Sequence, residues 1–214
     1  MCKYSMKLLP LYSIALGLVL TALLPAIVSF RFLGFQEVAV IGESFLPMTG
    51  ILLITPLAFC EGPPGRQETL AVRPTPYWKG FLTRLVMMAA VSALFTAAFV
   101  LMARMQANAF DAGAMWFGLY ATVLLLGSLG LTVGHITRSQ PAAYMIPAGI
   151  FILEYFTHGK YTGRFFLLSL MDGALRPEKT ALFLAACALL AWNVFLSVRQ
   201  VGLHPLPARP GGYT

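Results

Sequence analysis

The chain has 214 residues, of which 58% are hydrophobic and 11% charged, with a mean hydropathy of +0.77 and a formal net charge of +7. A soluble fold of this composition would have more apolar surface than one core can hide, so the composition excludes an ordinary soluble domain and predicts an integral membrane protein. The positive charge does not require nucleic acid as a partner, because an anionic cytoplasmic leaflet attracts Lys and Arg residues beside membrane spans.

Six continuous apolar runs come close to the roughly 20 residues that a helix needs to cross a bilayer. The predicted spans are residues 11–30, 44–60, 81–103, 113–134, 141–157 and 180–199. The first run is longer than the apolar core of a typical secretory signal, so we interpret it as an uncleaved span. Since the connections are too short for an ordinary soluble domain, we expect residues 1–214 to form a single all-α integral membrane domain.

The charges of the connections predict which way the chain faces. With six spans, both termini lie on the same side as residues 61–80 and 135–140, and that side carries nine cations and two acids, a net charge of +7. The other side, with Glu43 and Lys179 among its charges, carries six cations and six acids. Because cytoplasmic loops hold the excess of Lys and Arg, we expect a plasma-membrane protein with both termini in the cytoplasm.

A hydrophilic segment, Glu61 to Arg84, separates the second and third spans. Residues 62–65, Gly-Pro-Pro-Gly, end any helix that continues from the second span. Residues 66–72 contain strong helix formers and no helix breaker, until Pro74 stops the helix again. Such a helix is too short to cross a bilayer, so we expect it to lie along the cytoplasmic surface and to contact another protein.

The fourth span contains small residues at positions that favour close helix packing. Gly130 and Gly134 form a G-x-x-x-G pattern, and Gly127 precedes them. Glycines at this spacing let the backbone of a neighbouring helix approach closely, so the pattern predicts a packing contact along this face.

Glu154 is the one carboxylate that the predicted spans place well inside an apolar run. A charged side chain at the centre of a bilayer costs about 3 kcal/mol on insertion scales. The sequence leaves two roles open for it. Glu154 is either an interfacial or structural residue near the outer end of the fifth span, or a group that lines a translocation path.

The connection between the fifth and sixth spans, residues 158–179, contains a further apolar run. Phe165 to Met171 is too short to span a bilayer and lies between two glycines, which is typical of a re-entrant or interfacial helix on the outer side. Such a helix can act as a gate or can simply pack against the outer leaflet. Phe165 and Phe166 are therefore candidates, together with Glu154, for the translocation path or gate.

Motifs of nucleotide hydrolysis and of common hydrolases are absent from the sequence. There is no G-x-x-x-x-G-K-[ST], no H-E-x-x-H and no G-x-S-x-G. The three cysteines and three histidines are scattered, without the spacing of a disulfide framework or a metal site. We therefore assign no catalytic residue, no metal site and no cofactor to this chain.

Six spans with cytoplasmic ends, and an acidic, polar segment between spans two and three, resemble the permease subunits of ABC-2 type ATP-binding-cassette transporters. The family pattern is an acidic residue, a polar stretch with Gly-Thr and Glu, a Leu run, then Pro and a basic residue that enters the third span. The matching positions in this chain are Glu61, Gly65, Glu68, Leu70 and Pro74, followed by Lys79 or Arg84. The Pro63-Pro64 pair and the rigid run of residues 73–76 depart from this pattern, which affects the expected docking geometry.

The resemblance implies that the chain is a permease subunit of an exporter. The helix at 66–72 would be the coupling helix in a groove of a separate P-loop ATPase, with Arg66 and Glu68 as polar contacts and Leu70 as the apolar anchor. ATP and Mg²⁺ would bind to that ATPase. The family also has short re-entrant helices between spans five and six. A second permease subunit, identical or homologous, would complete the path within the lipid, and no nucleic acid would take part.

Two other classes of function are compatible with the sequence. A small multi-pass membrane enzyme would use Glu154, His158 and Asp172 as acid–base groups, which requires the three side chains to converge at the outer face. A non-transporting assembly or sensory partner would use the 61–80 segment to dock another cytosolic protein. The spans are generic in their Leu, Ala, Phe and Met content, so they specify no cargo.

Overall fold

The described part of the molecule consists of helices and short connections, without a strand, as the sequence predicts. A computed structural model describes residues 11–27, 34–60, 77–105, 110–158, 160, 166–172 and 178–202. The helices are α1 (Leu11–Ile27), α2 (Phe35–Ile54), α3 (Tyr77–Met105), α4 (Ala112–Thr137), α5 (Gln140–Thr157) and α6 (Glu178–Gly202). Two short 3₁₀ helices complete these elements: Thr55–Ala58 extends α2, and Ser169–Asp172 precedes α6. The all-α fold class is confirmed for these residues.

Four helices in the described residues are long and apolar enough to cross a membrane. They are Phe35–Ala58, Lys79–Met105, Ala112–Thr137 and Glu178–Val198, and they correspond to the second, third, fourth and sixth predicted spans. α1 and α5, with 17 and 18 residues, correspond to the first and fifth. Membrane crossing by α1 and α5, and so the six-span arrangement, stays a prediction.

α2 begins earlier than the sequence predicts, at Phe35 and not at residue 44. The Glu37 carboxylate accepts a hydrogen bond from the Gly34 amide at 2.9 Å, which satisfies a free donor at the helix start. Glu43 consequently lies inside α2 with 0% of its surface exposed. Its assignment to the outer connection is wrong, because Glu43 is part of a buried helix. A buried lysine compensates its charge within the bundle.

α4 is the central helix and packs against α2, α3, α5 and α6. Every residue from 121 to 128 is buried, as expected for a helix that is surrounded on all sides. In their most apolar stretches α4 is 72% buried and α2 67%, whereas α3 is 33% and α6 22% buried. The outward faces of α3 and α6 expose large apolar side chains such as Val86, Leu94, Leu184 and Trp192. A bilayer would cover these faces.

Glycines bring α2 and its 3₁₀ extension into backbone contact with α4. A Cβ atom on Gly50 would lie 2.2 Å from the carbonyl oxygen of Val123, and one on Gly130 would lie 2.2 Å from Thr55 Oγ1. A Cβ atom on Gly134 would lie 2.7 Å from that of Ala58. The close packing predicted for the fourth span is confirmed, and we call this α2–α4 contact the glycine seam.

Candidate functional site

The predicted coupling segment lies outside the described residues. This applies to Glu61, Gly65, Arg66, Glu68, Leu70 and Pro74, and also to the gate candidate Phe165. The structure does describe the chain on either side of residues 61–76. Phe59 packs beside Gly134, and the Phe81 ring lies 5.5 Å from the His135 ring. The chain therefore leaves α2 and enters α3 at the end of the bundle where α4 ends.

A buried ion pair, which the sequence reasoning missed, joins α2 to the start of α6. Lys179 Nζ lies 2.5 Å from Glu43 Oε1, and both side chains are fully buried. Lys179 Nζ also donates hydrogen bonds to Thr122 Oγ1 at 2.8 Å and to the Leu167 carbonyl at 2.6 Å. An ammonium group has three hydrogens to donate, so Lys179 is fully paired by these three acceptors. The assignment of Lys179 to a solvated outer connection is wrong for the same reason as that of Glu43.

Residues 166–172, which we call the inserted segment, lie between the helices and are held by their side chains. The Met171 amide donates a hydrogen bond to Glu43 Oε2 at 3.1 Å, and the Met171 carbonyl accepts one from Gln36 Nε2 at 2.9 Å. The Leu167 amide donates to Glu154 Oε2 at 3.5 Å, while its carbonyl accepts from Lys179. Side chains of α2, α5 and α6 therefore bond to backbone groups of the segment, in addition to the turn bond from the Met171 amide to the Leu168 carbonyl at 3.1 Å.

The inserted segment is buried over most of its length. Residues 166–170 all lie in the interior, and Leu170 fills a notch at Gly118, where a Cβ atom would lie 2.4 Å from Leu170 Cδ1. Only Ser169–Asp172 is helical, as a single 3₁₀ turn, whereas residues 166–168 are not helical. The short helix expected from Phe165 to Met171 is therefore present only in part. The Leu167 amide bonds to Glu154, whereas the Met171 amide shares its hydrogen between Glu43 and the Leu168 carbonyl of the 3₁₀ turn.

Two of the gate candidates from the sequence are described, and both are buried at the inserted segment. Glu154, in the last turn of α5, is 2% exposed and accepts the hydrogen bond from Leu167. Phe166 is 6% exposed and belongs to the apolar core. His158 ends α5 in the left-handed region at φ 47° and is exposed. Glu154 and His158, which a membrane enzyme would have to bring together, thus lie in different surroundings.

A second polar cluster joins α4 to α6 at the opposite end of the bundle. Asn193 Nδ2 donates to Thr132 Oγ1 at 2.8 Å and to the Leu189 carbonyl at 2.7 Å. With both amide hydrogens used, Asn193 Oδ1 is the acceptor toward His135 Nδ1, at 2.8 Å. The cluster carries no formal charge when His135 is neutral, so it differs in kind from the Glu43–Lys179 pair.

Comparison with protein-family models, with curated proteins and with solved structures found no match. By their length and composition, four helices of the described residues indicate a helical membrane protein, in which three candidate spans pack around the fourth, α4, with a buried ion pair at an inserted segment. The likeness to ABC-2 permeases rests on the sequence residues named above.

Proposed function

We propose that the chain is the transmembrane permease subunit of an ATP-binding-cassette exporter of the ABC-2 type, driven by a separate P-loop ATPase. The observation that carries the proposal is the order of elements along the chain. A proline-bracketed polar segment, residues 61–76, joins the apolar helices α2 and α3. A buried segment, residues 166–172, which is non-helical at 166–168 and a 3₁₀ turn at 169–172, lies between α5 and α6, where the family resemblance expects a short re-entrant element.

The proposal includes six spans, with α1 and α5 crossing the bilayer beside the four longer helices. Once Glu43 and Lys179 are counted as buried, the outer side has five cations and five acids. The cytoplasmic side keeps nine cations and two acids, so the excess of Lys and Arg on that side increases. This supports an orientation with both termini and residues 61–76 in the cytoplasm of the cell.

The proposed mechanism is alternating access driven from residues 61–76. ATP binding closes the ATPase subunits, and the coupling helix at 66–72 transmits that closure through Arg66, Glu68 and Leu70. Moving a gate from 1:99 to 99:1 requires about 5.5 kcal/mol of differential binding between the two states. α2 is the helix that leads directly into the coupling segment, and the same helix carries Glu43 at the inserted segment. A displacement of α2 can therefore reach the candidate path at Glu154 and Phe166, which lie at the inserted segment.

A second permease subunit, identical or homologous, forms the path with this chain at a dimer interface in the lipid. The exposed apolar faces of α3 and α6 are available for lipid or for such a subunit. No observation in the described residues favours the enzyme alternative over this proposal, since Glu154 is buried and His158 is exposed.

The experiment that tests the proposal is a pull-down of the tagged chain from its native membrane in mild detergent, followed by mass spectrometry. We expect a P-loop ATPase in a fixed ratio to the chain. Recovery of the chain alone in a stable oligomer, or with a cytosolic protein that is not an ATPase, would contradict it and would favour one of the other two classes.

Variants in the predicted coupling helix make the pull-down specific. Leu70→Asp should remove the ATPase from the purified complex, and Glu68→Ala should reduce transport-coupled ATP hydrolysis, while membrane insertion is unchanged. Gln67→Ala, a neighbouring change that keeps helix propensity, is the matched control. Normal transport by both Leu70→Asp and Glu68→Ala would refute the coupling-helix assignment.

A further inference from the structure

We propose that the Glu43–Lys179 pair is a latch that holds the inserted segment, residues 166–172, as a closed gate, and that the segment leaves its place when the pair separates. The proposal deepens the proposed function and rests on it in calling the segment a gate. It adds the residues that keep the gate closed, none of which the sequence reasoning had assigned to it.

Five side-chain hydrogen bonds hold the backbone of the inserted segment, and each member of the pair makes one of them; Gln36, Thr122 and Glu154 make the other three. Glu43 accepts from the Met171 amide, and Lys179 donates to the Leu167 carbonyl. These two backbone groups lie four residues apart, near the two ends of the inserted segment. Separation of this single ion pair therefore weakens one hydrogen bond at each end, which leaves the bonds of Gln36, Thr122 and Glu154 as the remaining side-chain hydrogen bonds of the segment.

The pair also links two helices that share little else. α2 and α6 each pack along α4, but they have few contacts with one another. Glu43 belongs to α2, and Lys179 lies in the first turn of α6. A small movement of α2 relative to α6 would therefore act first on the ion pair, because little else joins the two helices directly.

A buried ion pair suits a latch better than it suits a permanent joint. Replacement of such a pair by apolar side chains of similar volume is often neutral or stabilising, so stability alone does not explain it. Its particular property is sensitivity to water, because the attraction between two charges is inversely proportional to the dielectric constant, which is much higher in water. Entry of water beside Glu43 and Lys179 would weaken the pair, which in turn would admit more water.

The inserted segment can leave without the melting of any helix. Its backbone is tied to the surrounding helices through side chains, and the Leu170 side chain enters the Gly118 notch from outside the helix. Ser169 is 1% exposed, and its hydroxyl has no hydrogen-bond partner in the described structure. Since an unpaired buried hydroxyl gains hydrogen bonds in water, Ser169 favours the released state.

The test measures the accessibility of the inserted segment. Ser169→Cys is introduced into a full-length chain in which Cys2, Cys60 and Cys187 are replaced by alanine, and a membrane-impermeant maleimide is added from the outer side. With the latch intact, labelling should be slow. In the Glu43→Gln/Lys179→Met variant, which leaves no unpaired buried charge, labelling should be faster by about tenfold or more, because the rate follows the population of the open form.

A matched control removes the other polar cluster. Asn193→Leu/His135→Phe also deletes a buried polar contact of α6, at the opposite end of the bundle, and should leave the labelling of Ser169→Cys unchanged. The latch proposal would be overturned if the Glu43→Gln/Lys179→Met variant had the same unfolding temperature as the parent protein and its labelling rate were unchanged. Equal acceleration in the control variant would overturn it as well.

Glu43→Gln alone covers the case in which the double variant does not fold. It keeps the length of the side chain, and Lys179 retains Thr122 and the Leu167 carbonyl as acceptors. We expect faster labelling than in the parent chain. Failure of both latch variants to fold, with a folded control, would show a permanent structural joint and would refute the proposal. Labelling requires neither ATP nor an ATPase, so its result is separate from that of the pull-down.

Discussion

Two of the contacts that hold α2 in the bundle work by opposite physical means. The glycine seam joins Gly50 to Val123 by steric fit, with no room for a single added Cβ atom. The latch joins Glu43 to Lys179 by charge, seven residues earlier on the same helix. The seam depends on the absence of side chains, whereas the latch depends on two side chains that must both be present.

The difference predicts which part of α2 is fixed and which part can separate. Close packing is short-ranged and rigid, so the seam should move with α4 as one unit. An ion pair separates when water reaches it, so the Glu43 end of α2 should be the end that changes partners. A signal that enters α2 from residues 61–76 would then pass along a stiff α2–α4 pair to the latch.

The largest effect should follow from breaking the latch on one side only. Lys179→Met leaves Glu43 as an unpaired charge in an apolar interior, and we expect a loss of about 3–5 kcal/mol in the free energy of unfolding. The measurement is SDS- or heat-induced unfolding of the purified protein in detergent. Addition of Glu43→Gln to the same protein should recover most of this loss. If the double variant were no more stable than Lys179→Met alone, the unpaired charge of Glu43 would not be the cause of the lost stability.

The seam should respond to added volume, and no second change at a charged residue should rescue it. Gly50→Ala places a methyl group 2.2 Å from a backbone carbonyl, so we expect a loss of about 1–3 kcal/mol in the free energy of unfolding. Gly149→Ala is the matched control, because a Cβ atom at that position meets nothing within 4 Å. Equal stability of these two variants would show that α2 and α4 are less tightly packed than the structure indicates.

The sequence predicts the seam but not the latch, because the two contacts differ in the sequence separation of the residues that mark them. Gly130 and Gly134 lie on one helix at a spacing with a known structural consequence, so a single segment carries the signal. Glu43 and Lys179 are 136 residues apart, and nothing local marks them as partners. Apolar residues 38–41 before Glu43 were the available sign that it lies within a span.

Helix positions were predictable for a related reason, while the inserted segment was only partly so. Long apolar runs determine helices in a membrane, where every backbone group must be paired. The run from Phe165 to Met171 has the composition of a short helix, but side chains of Glu43, Glu154 and Lys179 compete for its backbone groups. Such competition depends on tertiary contacts, which a local pattern does not contain.

The second polar cluster tests whether an uncharged hydrogen-bonded contact between helices behaves like the latch. Asn193→Leu removes the hydrogen bonds to Thr132 and His135, and we expect a loss of about 1–2 kcal/mol in the free energy of unfolding. Thr157→Val is a suitable control, because in the described structure its hydroxyl bonds to the Leu153 carbonyl of its own helix. A loss as large as that of Lys179→Met would remove the distinction between the charged and the neutral contact.

The smallest effect should come from the start of α4, the helix that the seam and the latch share as a packing partner. Asp111 caps α4, since its Oδ1 atom accepts hydrogen bonds from the Gly113 and Ala114 amides at 2.9 and 3.4 Å. Asp111→Ala should lower the free energy of unfolding by about 1 kcal/mol, the usual effect of losing such a cap. Ser139→Ala at the start of α5 is the control, because Ser139 makes no side-chain capping bond.

If Asp111→Ala also accelerated the labelling of Ser169→Cys, the closed gate would depend on the start of α4 as well as on the Glu43–Lys179 pair. Unchanged labelling would confine the closing contact to that pair.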